Sequence, residues 1–256
     1  MRLTDEDAPS PAPSVRLGLM LYLGYLAIFF CTWVVNGVDY SRIGENAETT
    51  RLWYAAPTLF GSLFLCVALS YLGWWRPVLF DRSTAGPKWI WTLPVVMLAV
   101  IANNFLEIPT AKLTAELLLW LVLGAAGVGF GEEMITRGGM VVALRRHFSE
   151  GPVWLISTLM FSALHIPNVL FGVPLWAMPV QVVLTFVMGS ALYAVRRMTG
   201  TLIVPMMLHG LWDSSLLLQV ATGAETSQIQ FAVYPLTVAC MIALLRTTWH
   251  QRLRNS

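Results

Sequence analysis

The sequence predicts an all-α, polytopic transmembrane helix bundle of about eight spans, with a polar site buried between the helices. Composition is the first observation behind this. Of 256 residues, 57% are hydrophobic and only 12% are charged, and the mean hydropathy is +0.66. A soluble domain carries about 25% charged residues, so this surface has too few charges to be solvated by water and suits lipid instead. The second observation is a series of apolar runs near the ~20 residues that cross a bilayer. The third is a small set of acids, histidines and one arginine placed inside those runs.

The runs, in order, are 17–35, 53–74, 89–106, 113–135, 153–166, 176–195, 201–219 and 229–246. Residues 1–16 are polar and Pro-rich and read as a disordered cytoplasmic tail. No small-residue cleavage site closes the first run, which therefore reads as a retained span rather than a signal peptide. The first three spans, within 17–112, form an N-terminal unit. The fourth can continue as helix to Leu144, and the fifth is short. The last run leads into a basic tail, so 223–256 is the closing unit.

Loop charges set the orientation, because Lys and Arg are in excess on the cytoplasmic side. Arg76, Arg82 and Lys88 lie between the second and third spans, Arg145 and Arg146 between the fourth and fifth, and Arg196 and Arg197 after the sixth. Arg246, Arg252 and Arg254 follow the last. The segments 167–175 and 220–228 contain no Lys or Arg. Both termini are thus expected inside, with the 36–52 loop the weakest fit. Trp74, Trp75, Trp89 and Trp91 bracket one basic loop and read as interface anchors. The compact chain fits a bacterial inner membrane. The net charge of +2 gives no nucleic-acid footprint. The three cysteines show no metal-ligand spacing.

An ionisable side chain at the bilayer centre costs on the order of 2.5–3.5 kcal/mol, so such residues persist where they are paired, hydrated or functional. Three groups stand out. Glu132 and Glu133 close the fourth run. Glu133 and Arg137 are four apart on a helix and can pair, whereas Glu132 points about 100° away and is free for other work. Phe161 and His165 end the fifth run. His209 and Asp213, four apart, share a face of the seventh, with Pro205 before them. Counting ~1.5 Å per residue from the basic ends, Glu132 lies about 20 Å deep, His165 about 18 Å and His209 about 12 Å. All three depths fall within the hydrocarbon, so four spans can converge on one pocket. Gly127, Gly129 and Gly131 alternate in the fourth run, as close helix packing requires.

This set suits hydrolysis. Glu132 can act as general base on a water that His165 shares or orients, while His209 and Asp213 stand near the developing oxyanion. Glu132, His165 and His209 also make a two-imidazole, one-carboxylate set of the kind that binds Zn²⁺. Both the metal-free and the Zn²⁺ mechanism fit these residue types. Neither an H-E-x-x-H nor a G-x-S-x-G motif is present.

Together these motifs resemble those of the CPBP family, the intramembrane proteases related to the CAAX-prenyl endopeptidases of the Rce1 type, also called Abi proteins. The family pattern E-E-x-x-x-R, then F-x-x-x-H, then H-x-x-x-N or D, is matched in order by Glu132, Glu133 and Arg137, by Phe161 and His165, and by His209 and Asp213. The stretch from Gly200 to Pro205 also resembles the family's approach to its last motif. The resemblance implies a catalytic core over 113–222, a Glu- and His-activated water, and Phe161 in support. It also implies a peptide or protein substrate in or at the membrane. The sequence shows no soluble domain, so recognition is expected in the bilayer or at its cytoplasmic edge. Two departures matter. Thr136 stands where many members have an aromatic residue. Asp213 stands where prenyl-protein proteases have Asn, and an ionised Asp accepts rather than donates, so orienting His209 or binding metal suits it better than an oxyanion role. The competing readings are a non-catalytic membrane partner or immunity protein and a transporter, since buried charges also mark ion pathways. No internal repeat favours the transporter.

Overall fold

The computed structural model describes residues 11–225 and 227–253. Among the described residues, eight long helices form the bundle: α1 (Val15–Val35), α2 (Ala47–Leu72), α3 (Lys88–Leu106), α4 (Ala115–Leu144), α5 (Glu150–Ala163), α6 (Met178–Thr199), α7 (Ile203–Thr222) and α8 (Gln228–Thr248). No β-strand forms among the described residues; the one bridge joins Phe80 to Thr201. The fold is the all-α bundle that the composition predicts.

Seven of the predicted spans are long and apolar enough to cross a membrane: α1–α4, the segment Glu150–Phe171 that contains α5, α6 and α8. The eighth, α7, matches them in length, but His209, Asp213 and Gln219 lower its hydropathy. Most of the tail expected to be disordered, residues 1–10, lies outside the described residues, as does Arg254. Helix α1 already begins at Val15, capped by the Ser14 side chain, which accepts from the Leu17 amide.

Helix α4 is the hub. Its polar cap is Thr114, whose side chain accepts from the Leu117 amide. Two apolar cores meet on it. One collects α3, α6, α7 and α8 around Met140, Val141 and Leu144. The other collects α1 and α2 around Met134, Ile135 and Val142. Against α7 the backbones touch almost directly: a Cβ on Gly129 would lie 2.3 Å from the Met206 carbonyl oxygen, and one on Gly210 would lie 2.6 Å from that of Ala125. Glycine is needed at both positions because a neighbouring backbone fills the space a side chain would take. The outer faces stay apolar; Leu23, Val67, Val122 and Val183 are all exposed and suited to lipid.

The predicted loop charges behave differently from expectation. Arg145, Arg196 and Arg197 are buried rather than solvated. They converge on Asp81 and Glu150 at the end of the bundle that carries the basic connections. Arg145 pairs with Asp81 at 2.8 Å and Glu150 at 2.7 Å. Arg196 and Arg197 reach Asp81 at 2.7 and 3.0 Å. Tyr193 donates to Glu150 at 2.7 Å. Burial by itself would raise the Asp81 pKa, but Arg196 and Arg145 outweigh it and hold the carboxyl well below the ordinary carboxylate range. Trp74, expected as an interface anchor, is fully buried, and its Nε1 donates to the Pro11 carbonyl. Trp89 and Trp91 remain exposed, as anchors would be.

Candidate active site

Three helices bring the motif residues together. In α4, the turn over Met134–Met140 widens into a π-helix, a local irregularity common at functional sites. Arg137 lies in this segment and is fully buried. Its Nη1 is 3.1 Å from Glu133 Oε1, the i,i+4 pair that the spacing predicts. It also donates to Thr136 Oγ1 at 2.8 Å, and Thr136 in turn donates to the Glu132 carbonyl. Thr136, noted in the sequence only as a departure, therefore links the buried guanidinium back to the helix backbone. Arg196 secures the same segment from α6 by donating to the Arg137 carbonyl.

Phe161 is the centre on which the three motifs meet. The Arg137 guanidinium carbon sits 3.7 Å above its ring centroid. The His165 and His209 rings both stand edge-on to it, each with centroids 5.5 Å away. Apolar contact of this kind holds a charged group where water is scarce. His165, at the end of α5, has Nδ1 3.2 Å from the Phe161 carbonyl oxygen.

His209, on α7, stands between two carboxylates. Its Nδ1 is 3.2 Å from Glu133 Oε1 and its Nε2 is 3.6 Å from Asp213 Oδ2. The contact with Glu133 crosses from α7 to α4 and has no counterpart in any single motif's spacing. The Asp213 contact fits an orienting role for that residue.

Glu132, unlike Glu133 and Asp213, has no ion-pair partner among the described residues. It is half-buried, and its Oε2, shut away from the surface, has no hydrogen-bond partner among the described residues. Glu132 and Asp213 line a cavity of about 420 Å³. Its other walls are mostly aliphatic and aromatic and include Phe29, Trp33, Tyr40, Trp53 and Tyr54. The cavity extends toward the 36–52 connection, at the end of α1 opposite to Asp81 and the buried arginines.

The residue types allow Zn²⁺ on Glu132, His165 and His209 as an alternative to a metal-free mechanism. Among the described residues, no three His, Cys, Asp or Glu side chains are grouped to hold a metal ion. Both histidine rings stand against the Phe161 ring.

Residues 114–215 match the Rce1-like family model, described as type II CAAX prenyl endopeptidase Rce1-like. This segment is similar to the CAAX proteases of the CPBP family. The match holds all six expected site residues and Phe161, and it supports a CAAX-type intramembrane endopeptidase as the general class of activity. Helices α1–α3 and α8 lie outside the Rce1-like segment, although α1 and α2 supply much of the cavity wall. No curated protein and no solved structure matches the chain.

Proposed function

We propose that the chain is an intramembrane endopeptidase in which Glu132 activates water within the aromatic cavity. The observation that supports this most is the division of labour between adjacent acids. Glu133 is held between Arg137 and His209, whereas Glu132 has no ion-pair partner among the described residues and lines the cavity. As a carboxylate, Glu132 accepts a proton from water while the water oxygen attacks the peptide carbonyl. It then returns that proton to the departing amine. Glu133 and Asp213 orient His209, and His165 orients the water. The cavity's apolar walls favour a peptide segment that is itself membrane-embedded or lipid-bearing. With the basic end of the bundle in the cytoplasm, the cavity faces the opposite side of the membrane.

The test is digestion of a detergent-solubilised membrane proteome by the reconstituted protein and by its Glu132→Ala variant, each with and without a Zn²⁺ chelator. New peptide termini produced only by the unaltered protein support the endopeptidase. Loss of those termini with chelator would assign a metal to the reaction. Identical digests from the two folded proteins would leave a non-catalytic membrane partner as the better reading.

A further inference from the structure

Asp213 leaves a chemical gap in this site. Hydrolysis through a tetrahedral intermediate needs a hydrogen-bond donor at the carbonyl oxygen, and an ionised carboxylate has none to give. A donor is present elsewhere on the cavity wall. Tyr25, from α1, is 1% exposed. Its ring fills the notch between Gly61 of α2 and Gly131 of α4, where added Cβ atoms would lie 2.5 and 2.6 Å from it. Its hydroxyl rests against Gly131, 2.6 Å from that Cβ position and next in sequence to Glu132. This hydroxyl has no hydrogen-bond partner among the described residues, and Tyr25 lines the cavity together with Glu132 and Asp213. Buried hydroxyls are nearly always paired, so an orphan donor on a cavity wall calls for a partner supplied by the occupant. Tyr54 also has an orphan hydroxyl. Its ring packs on Gly124, eight residues before Glu132 in the sequence, whereas Tyr25 packs on Gly131, the residue next to Glu132.

We infer that Tyr25 is a further catalytic residue, whose phenol O–H donates to the substrate carbonyl oxygen as that oxygen gains charge. The inference rests on the endopeptidase reading above. The water oxygen bonds to the carbonyl carbon, the π pair moves onto the carbonyl oxygen, and Glu132 takes the water proton. Tyr25 holds the oxyanion by hydrogen bond and keeps its own proton. The pair then re-forms C=O, the C–N bond breaks, and the proton on Glu132 leaves with the amine. Glu132 thus supplies base chemistry and Tyr25 supplies the donor that the Asn-to-Asp departure removed.

The experiment measures initial cleavage rates at individual sites in a detergent-solubilised membrane proteome for the unaltered protein, Tyr25→Phe, Glu132→Ala and the double variant Tyr25→Phe/Asp213→Asn. Phenylalanine keeps the ring in its notch, so the melting temperature should hold while rates fall by roughly 100-fold, as for loss of one oxyanion donor. The Asn amide of the double variant should restore part of that loss. Tyr25→Phe rates within threefold of the unaltered protein, with Glu132→Ala inactive, would overturn the role of Tyr25 and leave the endopeptidase standing. No cleavage by the unaltered protein would overturn both. If Tyr25→Phe unfolds, 3-fluorotyrosine at position 25, a stronger donor of nearly the same shape, decides the matter. Faster cleavage supports the donor role and an unchanged rate contradicts it.

Discussion

Glu133 Oε1 lies 3.1 Å from Arg137 Nη1 and 3.2 Å from His209 Nδ1, so one buried oxygen joins the first and last motifs across two helices. Removing it leaves Arg137 charged and unpaired in a dry interior. Breaking a buried pair in this way costs about 3–5 kcal/mol. Glu133→Ala is therefore expected to lower the unfolding free energy by that order, measured by denaturant unfolding in detergent. A change under about 1 kcal/mol, the range of exposed pairs, would show that Glu133 does not carry the contact.

The α4–α7 contact should be equally intolerant of a methyl group. Gly129→Ala would put a Cβ 2.3 Å from the Met206 carbonyl oxygen, and backbone cannot move aside as a flexible side chain can. Overpacking of this kind costs roughly 1–3 kcal/mol. Because the displaced helix carries His209 and Asp213, cleavage should fall as well. Gly37→Ala is a poor control, since Gly37 has φ 57°; Gly139→Ala, whose nearest neighbour would be Leu21 at 3.4 Å, should be milder on both measures.

Asp81 offers a pH test at the far end of the bundle. Its pKa is depressed in the folded protein by Arg196 and Arg145 against the opposing effect of burial. A depressed carboxylate contributes stability above its unfolded pKa, about 3.9, and that contribution is lost as pH falls through the lower folded value. The unaltered protein should keep this increment from neutral pH down to about pH 4. Asp81→Asn should lack it throughout, a deficit of about 3–5 kcal/mol for a broken buried pair. Parallel unfolding curves from pH 7 to 4 check this. A deficit that vanishes on acidification within that range would contradict the assignment.

Sidedness can be read by cysteine labelling. In a chain whose Cys31, Cys66 and Cys240 are replaced, Ser41→Cys and His147→Cys place exposed thiols at opposite ends of the bundle. An impermeant maleimide applied to intact cells should label position 41 and spare 147. Labelling of 147 alone would invert the orientation and place the cavity toward the cytoplasm.

Much of the fold and the candidate site residues are legible in the sequence because lipid makes charges conspicuous. Glu132, Glu133, Arg137, His209 and Asp213 stand out against apolar runs, and the four-residue spacing of Glu133 and Arg137 anticipates their pairing. Contacts between helices were not legible. Nothing in the order of residues tells Glu133 to meet His209, or makes Phe161 the ring on which Arg137 and both histidines rest. Arg145, Arg196 and Arg197 look like ordinary loop charges until Asp81 and Glu150 are folded against them. The lone acid in the basic 75–88 connection was a signal for this, outweighed by the rule for sidedness. Tyr25 lies in an apolar span, and only the orphan hydroxyl that the fold gives it sets it apart.

The most direct measurement pairs the melting temperature of Glu132→Gln with its cleavage of the membrane proteome. Gln keeps the size of the side chain, and Glu132 Oε2 has no protein partner to lose among the described residues. The predicted result is a melting temperature matching the unaltered protein and no cleavage. Cleavage retained by the variant at the unaltered rate would contradict Glu132 as the base that activates water.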